Sequence, residues 1–151
     1  MSDSHRSLAE PSIDRRWLRR CHELAAVAKA KGNTAVGSVI AIGSDRLAEA
    51  AEQRPGDPDV TSHAELLAVR AACARVAVSG RDLRTATLYT TIEPCVMCGY
   101  ALRAAGIGRL VFIHRCGSIG GVRGPLPVVT ATLKELRPPP VVVEAGADYP
   151  T

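Results

Sequence analysis

Aromatic residues are scarce in this sequence: they form 3% of its 151 residues, with a single Trp and a single Phe. Proteins that stack many bases of a single-stranded nucleic acid use several aromatic side chains, so the composition disfavours that class. The sequence also has no apolar run as long as a membrane span. Its polar first residues lack the apolar segment of a secretory signal. We therefore expect a cytoplasmic protein.

The five cysteines do not form the even, regularly spaced set of a disulfide framework. In a cytosolic chain this leaves metal or redox chemistry for the close pair Cys95 and Cys98. A net charge of +4 is compatible with a nucleic acid or phosphate partner. The length predicts one domain, and we assign a disordered tail to residues 1–11 and a single domain to residues 12–151.

Apolar periodicity and turn residues predict helices that alternate with strands after a first hairpin. Helices are expected over residues 13–31, 63–78 and 94–105, with a short one over 128–136, and strands over 36–42, 46–50, 85–91, 109–113 and 140–144. Strands joined by helices run parallel through right-handed crossovers, so the last three strands should be parallel. The predicted fold class is α/β, a three-layer α/β/α sandwich with a five-stranded mixed sheet.

The second helix begins within TSHAELLAVR, residues 61–70. Ser62 and Glu65 have the spacing of a capping box, in which each side chain satisfies a free N–H group of the first turn. Taken alone, this pattern gives Glu65 a structural role and leaves His63 as a surface residue.

The third helix begins at PCVMC, residues 94–98. Cys95 and Cys98 lie three residues apart on one helix face, where the helix N-terminus lowers thiol pKa values. Alone, the pair fits a metal site or a thioredoxin-like redox pair equally well. Together with His63, however, it makes a zinc set of three ligands with one open position, which is typical of catalytic zinc. Glu65 then stands two residues from a ligand and is free to move protons.

The stretches AVGSVI, HAE and TLYTTIEPCVMC resemble the cytidine deaminase-like superfamily of zinc-dependent deaminases. The resemblance runs from about Val36 to Ile113 and is strongest to the branch that holds guanine deaminases, cytosine deaminases and tRNA adenosine deaminases. It implies that His63, Cys95 and Cys98 hold Zn²⁺. It also implies that Glu65 is the catalytic residue, which carries protons from water to the ring and to the departing amine.

The resemblance further indicates substrate contacts. The branch usually has an Asn after the second strand, which holds the base, and here Gln53 takes that place. Asn33 and His114 are candidates to line the pocket, although a turn residue and a polar strand end explain them as well. The backbone around Glu93 should orient the substrate amine, while its side chain is expected to cap the third helix because Pro94 marks a helix start.

We therefore expect a hydrolase that converts the exocyclic amine of a small aminated heterocycle, a base, nucleoside or analogue, to a carbonyl with release of ammonia. A tRNA adenosine deaminase is the alternative, disfavoured by the missing continuation after the fourth strand and the missing C-terminal helix. A thiol–disulfide protein that uses Cys95 and Cys98, or a non-catalytic zinc-fold binding module, also stays open. Small residues in the third helix, Gly99 among them, favour a homodimer.

Overall fold

The computed structural model describes residues 11–53 and 58–146. Within them lie the helices α1 (Pro11–Ala30), α2 (Ala64–Ser79) and α3 (Val96–Ala105), and the strands β1 (Gly37–Ile42), β2 (Asp45–Ala51), β3 (Thr87–Ile92), β4 (Arg109–His114) and β5 (Val141–Glu144). The predicted tail of residues 1–11 lies outside the described residues except for Pro11, which begins α1. None of the described helices has the length and apolar character needed to cross a membrane.

The five strands form one mixed sheet in the order β2-β1-β3-β4-β5. The β1 strand pairs antiparallel with both β2 and β3. The β3, β4 and β5 strands are parallel, as the sequence predicts. Because α3 connects β3 to β4, the carboxyl end of β3 leads directly into the start of this helix.

Two apolar clusters cover the two faces of the sheet. On one face, Trp17, Leu18 and Cys21 of α1 pack with β-strand residues that include Tyr89. On the other face, α2 and α3 pack against a cluster that includes Phe112. Burial of these apolar side chains is the main favourable contribution to the fold. The structure thus has the three-layer α/β/α arrangement that the alternation of elements predicts.

A buried ion pair fixes α1 to the centre of the sheet. The Asp14 carboxylate accepts a hydrogen bond from the Tyr89 hydroxyl at 2.8 Å. It also accepts two from the Arg109 guanidinium, at 2.8 and 2.7 Å. This bidentate geometry is the strong form of a charge-assisted pair. Burial is the main cause that raises the pKa of Tyr89 above its usual range, and the hydrogen bond to Asp14 adds to it. The hydroxyl therefore stays protonated and donates its hydrogen bond to Asp14.

The short helix predicted over residues 128–136 is wrong, because this segment forms turns. The buried Arg103 of α3 donates hydrogen bonds to the carbonyl oxygens of Val128, Val129 and Ala131. It also reaches the carbonyl of Arg137. A helix would need these same carbonyls for its own backbone hydrogen bonds. Gly99, one of the small residues assigned to a subunit contact, is buried within the chain against the side chains of this segment.

Candidate metal centre

The starts of α2 and α3 bring three possible metal ligands together. His63 is the N-cap residue of α2 and Cys95 is the N-cap residue of α3, both with extended backbone. Cys98 lies in the first turn of α3 and is buried. Neither N-cap side chain makes a capping hydrogen bond, so the imidazole and the thiol are available for other contacts.

The predicted capping box is therefore wrong, since the N-cap of α2 is His63 and not Ser62. A carboxylate from another element takes over part of its role. The Glu52 Oε2 atom accepts a hydrogen bond of 2.9 Å from the Ala64 N–H group. This contact satisfies one free donor of the helix N-terminus and places negative charge where the helix dipole favours it.

The separations between the donor atoms fit zinc. The Nδ1 atom of His63 lies 3.6 Å from Cys95 Sγ and 3.7 Å from Cys98 Sγ. All three donor atoms lie within 4.8 Å of one another. Zn–N bonds of about 2.0–2.1 Å and Zn–S bonds of about 2.3 Å, set at tetrahedral angles, require N and S to stand about 3.6 Å apart. The residues present therefore match the size and the preferred ligand types of Zn²⁺.

The contact between the two thiols shifts their pKa values in opposite directions. A hydrogen bond from Cys98, with help from the Cys98 N–H group and His63, lowers the pKa of Cys95 to about 5. The same contact and burial raise the pKa of Cys98 above its usual range. A thiolate at Cys95 is the protonation state that a metal ligand requires, and cation binding would favour the loss of the second proton.

Glu65 lies in the first turn of α2 and is buried, with 5% of its surface exposed. Burial raises the pKa of its carboxyl to about 8, and the negative charges of Glu52 and Cys95 add to this effect. A carboxyl with a pKa near neutrality exchanges protons in both directions, as a general acid and base must. The arrangement thus places a buried carboxyl with a raised pKa beside the three ligands.

These groups surround a cavity of about 620 Å³, a volume in the usual range for small-molecule sites. His63, Glu65, Cys95, Glu52 and Glu93 line it, together with Gly32, Thr34, Val36, Ile92, Cys116 and Ile119. Polar groups therefore converge on a wall that is otherwise largely apolar, which is the usual composition of a ligand site.

Three predicted substrate residues lie elsewhere. Gln53 and Asn33 line an adjoining cavity of about 510 Å³, which Glu52 also borders. The Asn33 Oδ1 atom is buried and has no hydrogen-bond partner among the described residues. The side chain of His114 is exposed at the end of β4. The structure thus separates all three from the ligand set, and their substrate roles stay predictions.

The expectation that the Glu93 side chain caps α3 is wrong. Its carboxylate instead accepts hydrogen bonds from the N–H groups of Val122 and Arg123, both at 3.1 Å, and from Cys116 at 3.5 Å. These contacts hold the loop of residues 116–124, called here the wall loop, over the start of α3. A side chain at Gly120 would collide with the Glu93 carboxylate, so this position requires glycine.

Among the residues that line the cavity, sequence reasoning missed two titratable ones, Glu52 and Cys116. Cys116 has no spacing that links it to the other cysteines, so the sequence gives no signal for it. A signal exists for Glu52, because a carboxylate that directly follows a strand can reach the start of the next helix, where negative charge is stabilised.

A His/Cys/Cys ligand set with a buried glutamate beside it defines a zinc centre of the hydrolytic type. The family model described as the cytidine and deoxycytidylate deaminase zinc-binding region matches residues 11–114, and the chain belongs to this family. The match confirms the resemblance seen in the sequence, and with the ligand group it supports Zn²⁺ as the cofactor and an enzyme of the deaminase class.

The relatives act on different substrates. A probable cytosine deaminase of Schizosaccharomyces pombe is 36% identical over 99 residues, which cover 66% of this chain and 59% of that protein. A tRNA-specific adenosine deaminase of Aquifex aeolicus is 36% identical over 92 residues, which cover 61% of this chain and 60% of that protein. The chain thus aligns with about 60% of the length of these curated relatives.

The solved structures that resemble this chain are likewise deaminases with different substrates. A chain from studies of A-to-I editing by tRNA:A34 deaminases superposes with a TM-score of 0.73 at 26% identity, covering 85% of this chain and 97% of that chain. The guanine deaminase of Bacillus subtilis superposes with a TM-score of 0.59 at 31% identity, covering 66% of this chain and 63% of that chain. The comparisons support the fold and the deaminase class, and they leave the substrate open.

Proposed function

We propose that the chain hydrolyses the exocyclic amine of a small aminated heterocycle, releasing ammonia and leaving a carbonyl. The observation that carries the proposal is the buried Glu65 carboxyl, which lines one cavity with His63 and Cys95. A reacting ring in this cavity would lie beside both the metal ligands and a proton carrier. A purely structural zinc site, in contrast, has four protein ligands and needs no acid or base beside it.

The chain's own residues supply the proton transfers. His63, Cys95 and Cys98 would hold Zn²⁺, which would supply Lewis-acid activation of water. Glu65 accepts a proton from the attacking water as the new C–O bond forms, and it delivers a proton to the ring nitrogen. It then takes the proton of the newly formed hydroxyl group and passes it to the amine as the C–N bond breaks, so that ammonia leaves and the ring keeps a carbonyl.

An ammonia-release screen tests this proposal. The zinc-loaded protein is offered free bases, nucleosides, pterins, triazines and an anticodon stem-loop. We expect turnover of a free base or nucleoside by the wild type, and a loss of roughly 10²- to 10⁴-fold in Glu65→Gln, the range for removing a general acid or base. The variant should keep its zinc, because Glu65 is not a ligand.

Glu23→Gln is the matched control, since it removes a carboxylate from the exposed face of α1. It should release ammonia at the wild-type rate. Release by Glu65→Gln at that same rate would refute the proton-carrier role. If no compound in the screen yields ammonia, the proposal itself is wrong, and a thiol–disulfide protein would then be recognised by a purified chain without zinc.

Deamination of adenosine in tRNA is the second candidate. It is favoured by the superposition on the tRNA:A34 deaminase chain, which covers 85% of this protein. Arg15, Arg16 and Arg19 lie exposed on α1 and offer positive charge to phosphates. Activity on a stem-loop should then fall steeply as salt rises, because phosphate contacts release counterions. Turnover of a free base with little salt dependence supports the small-substrate proposal instead.

A further inference from the structure

Glu52 is a second buried carboxylate in the wall of the candidate active cavity. It directly follows β2 and has 7% of its surface exposed. Its backbone N–H group donates to the Val36 carbonyl at 3.0 Å, which fixes the main chain at this point. The residue borders both the ligand cavity and the adjoining cavity, so it forms part of the partition between them.

The two oxygens of Glu52 have different surroundings. Oε2 accepts the Ala64 N–H hydrogen bond, and Ala64 stands between His63 and Glu65 in the chain. No hydrogen bond to Oε1 is found in the described part of the protein. A carboxylate accepts hydrogen bonds and does not donate them. The cavity therefore has a positioned acceptor beside the residues of the zinc site.

The other two carboxylates that line the cavity, those of Glu65 and Glu93, have different roles. Glu65 is the proposed proton carrier, and the Glu93 carboxylate is occupied by N–H groups of the wall loop. Glu52 makes no comparable set of contacts within residues 11–53 and 58–146. It is therefore available to a substrate, and an acceptor-only group there favours a ring that presents an N–H group.

We propose that Glu52 determines substrate choice by accepting a hydrogen bond from a ring N–H next to the reacting carbon. This inference rests on the proposed deaminase function and names its substrate class: rings such as guanine or isocytosine, whose amine-bearing carbon is flanked by an N–H. In cytosine the corresponding carbon is flanked by a bare ring nitrogen and a C–H. A carboxylate facing the lone pair of that nitrogen gains no hydrogen bond, and a site left unpaired in this way discriminates strongly.

Isocytosine and cytosine are the probe pair. They are isomers, and both yield uracil and ammonia, so differences in product release cancel. We expect the wild type to have a kcat/KM for isocytosine roughly 10- to 100-fold above that for cytosine, the range for one hydrogen bond to a charged group. Glu52→Gln should abolish most of this preference. Its amide oxygen can still accept the Ala64 N–H bond, so the melting temperature and zinc content should stay near wild type.

Two further variants test whether the change in substrate preference is specific to Glu52. Glu49→Gln removes a carboxylate from β2, where Glu49 pairs with Arg20 on the α1 side, and should leave the isocytosine-to-cytosine ratio unchanged. Gln53→Ala tests the residue that the sequence indicates. A ratio that responds to Gln53→Ala and is unaffected by Glu52→Gln overturns the proposal.

Equilibrium binding tests the role of Glu52 independently of the deaminase proposal. In the Glu65→Gln background, isocytosine should bind more tightly than cytosine, and adding Glu52→Gln should remove the difference. Equal binding of the two isomers overturns the Glu52 proposal even if the protein releases ammonia from other rings. Selective binding that depends on Glu52, without ammonia release from any ring by the wild type, would instead refute the deaminase proposal alone.

Discussion

Removal of the Glu93 carboxylate should release the wall loop from the start of α3. Glu93→Ala leaves the N–H groups of Val122 and Arg123, which now donate to one carboxylate oxygen at 3.1 Å, without that partner. An unsatisfied buried amide costs about 1–3 kcal/mol. The Val122 bond is buried and the Arg123 bond is only partly buried, so the free energy of unfolding should fall by about 1–4 kcal/mol. Urea unfolding of the zinc-loaded protein measures this change.

Glu93→Gln is the matched variant, because its amide oxygen can still accept these hydrogen bonds without the charge. It should cost about 1–2 kcal/mol, the difference between charged and neutral acceptors for two bonds. Hydrogen exchange at the Val122 and Arg123 amides should accelerate far more in Glu93→Ala than in Glu93→Gln. A Glu93→Ala protein that loses less than about 1 kcal/mol and keeps both amides protected would refute the assigned role.

Three other predictions follow from the structure. The wild type should purify with about one zinc per chain, and His63→Ala or Cys98→Ala should lose it; full occupancy in either variant would exclude this site. The protein should sediment as a dimer at micromolar concentration, and Tyr100→Glu should sediment as a monomer, because Tyr100 is 55% exposed on α3; a wild-type monomer would contradict this. The hydrogen bond from Arg20 lowers the pKa of Glu49 below 4.5, so this pair stabilises the fold above that pH and the effect disappears as pH falls through the lowered value. A double-mutant cycle with Arg20→Gln and Glu49→Gln should give at most about 1 kcal/mol at pH 7 for this partly exposed pair and a smaller coupling at pH 3; an equal coupling at both pH values would refute it.

Local patterns in the sequence predicted the sheet and the three ligands well. The parallel order of the last strands followed from the helices that connect strands, and the ligands followed from residue types and spacing. The parallel order depends on neighbours in the chain, whereas His63 and Cys95 are 32 residues apart and meet because each stands at the start of a helix.

The errors concern contacts between distant segments. Arg103 takes the carbonyls that a helix over residues 128–136 would need. Glu93 bonds to the wall loop, more than twenty residues away. Glu52, twelve residues before Ala64, caps α2 in place of the expected Ser62. A sequence pattern shows which residues can cap a helix, but it does not show which more distant partner competes for the same groups.

The ion pair between Asp14 and Arg109 also affects the order in which a nascent chain can fold. Its partners are separated by 95 residues. At about 5–20 residues per second, a ribosome needs roughly 5–20 s to synthesise the stretch between them. Throughout that interval α1 has its apolar side without the β4 residues that later cover it, and Asp14 has no guanidinium to pair with. The α1 helix therefore completes its packing late, and its apolar side is open to aggregation until β4 has been made.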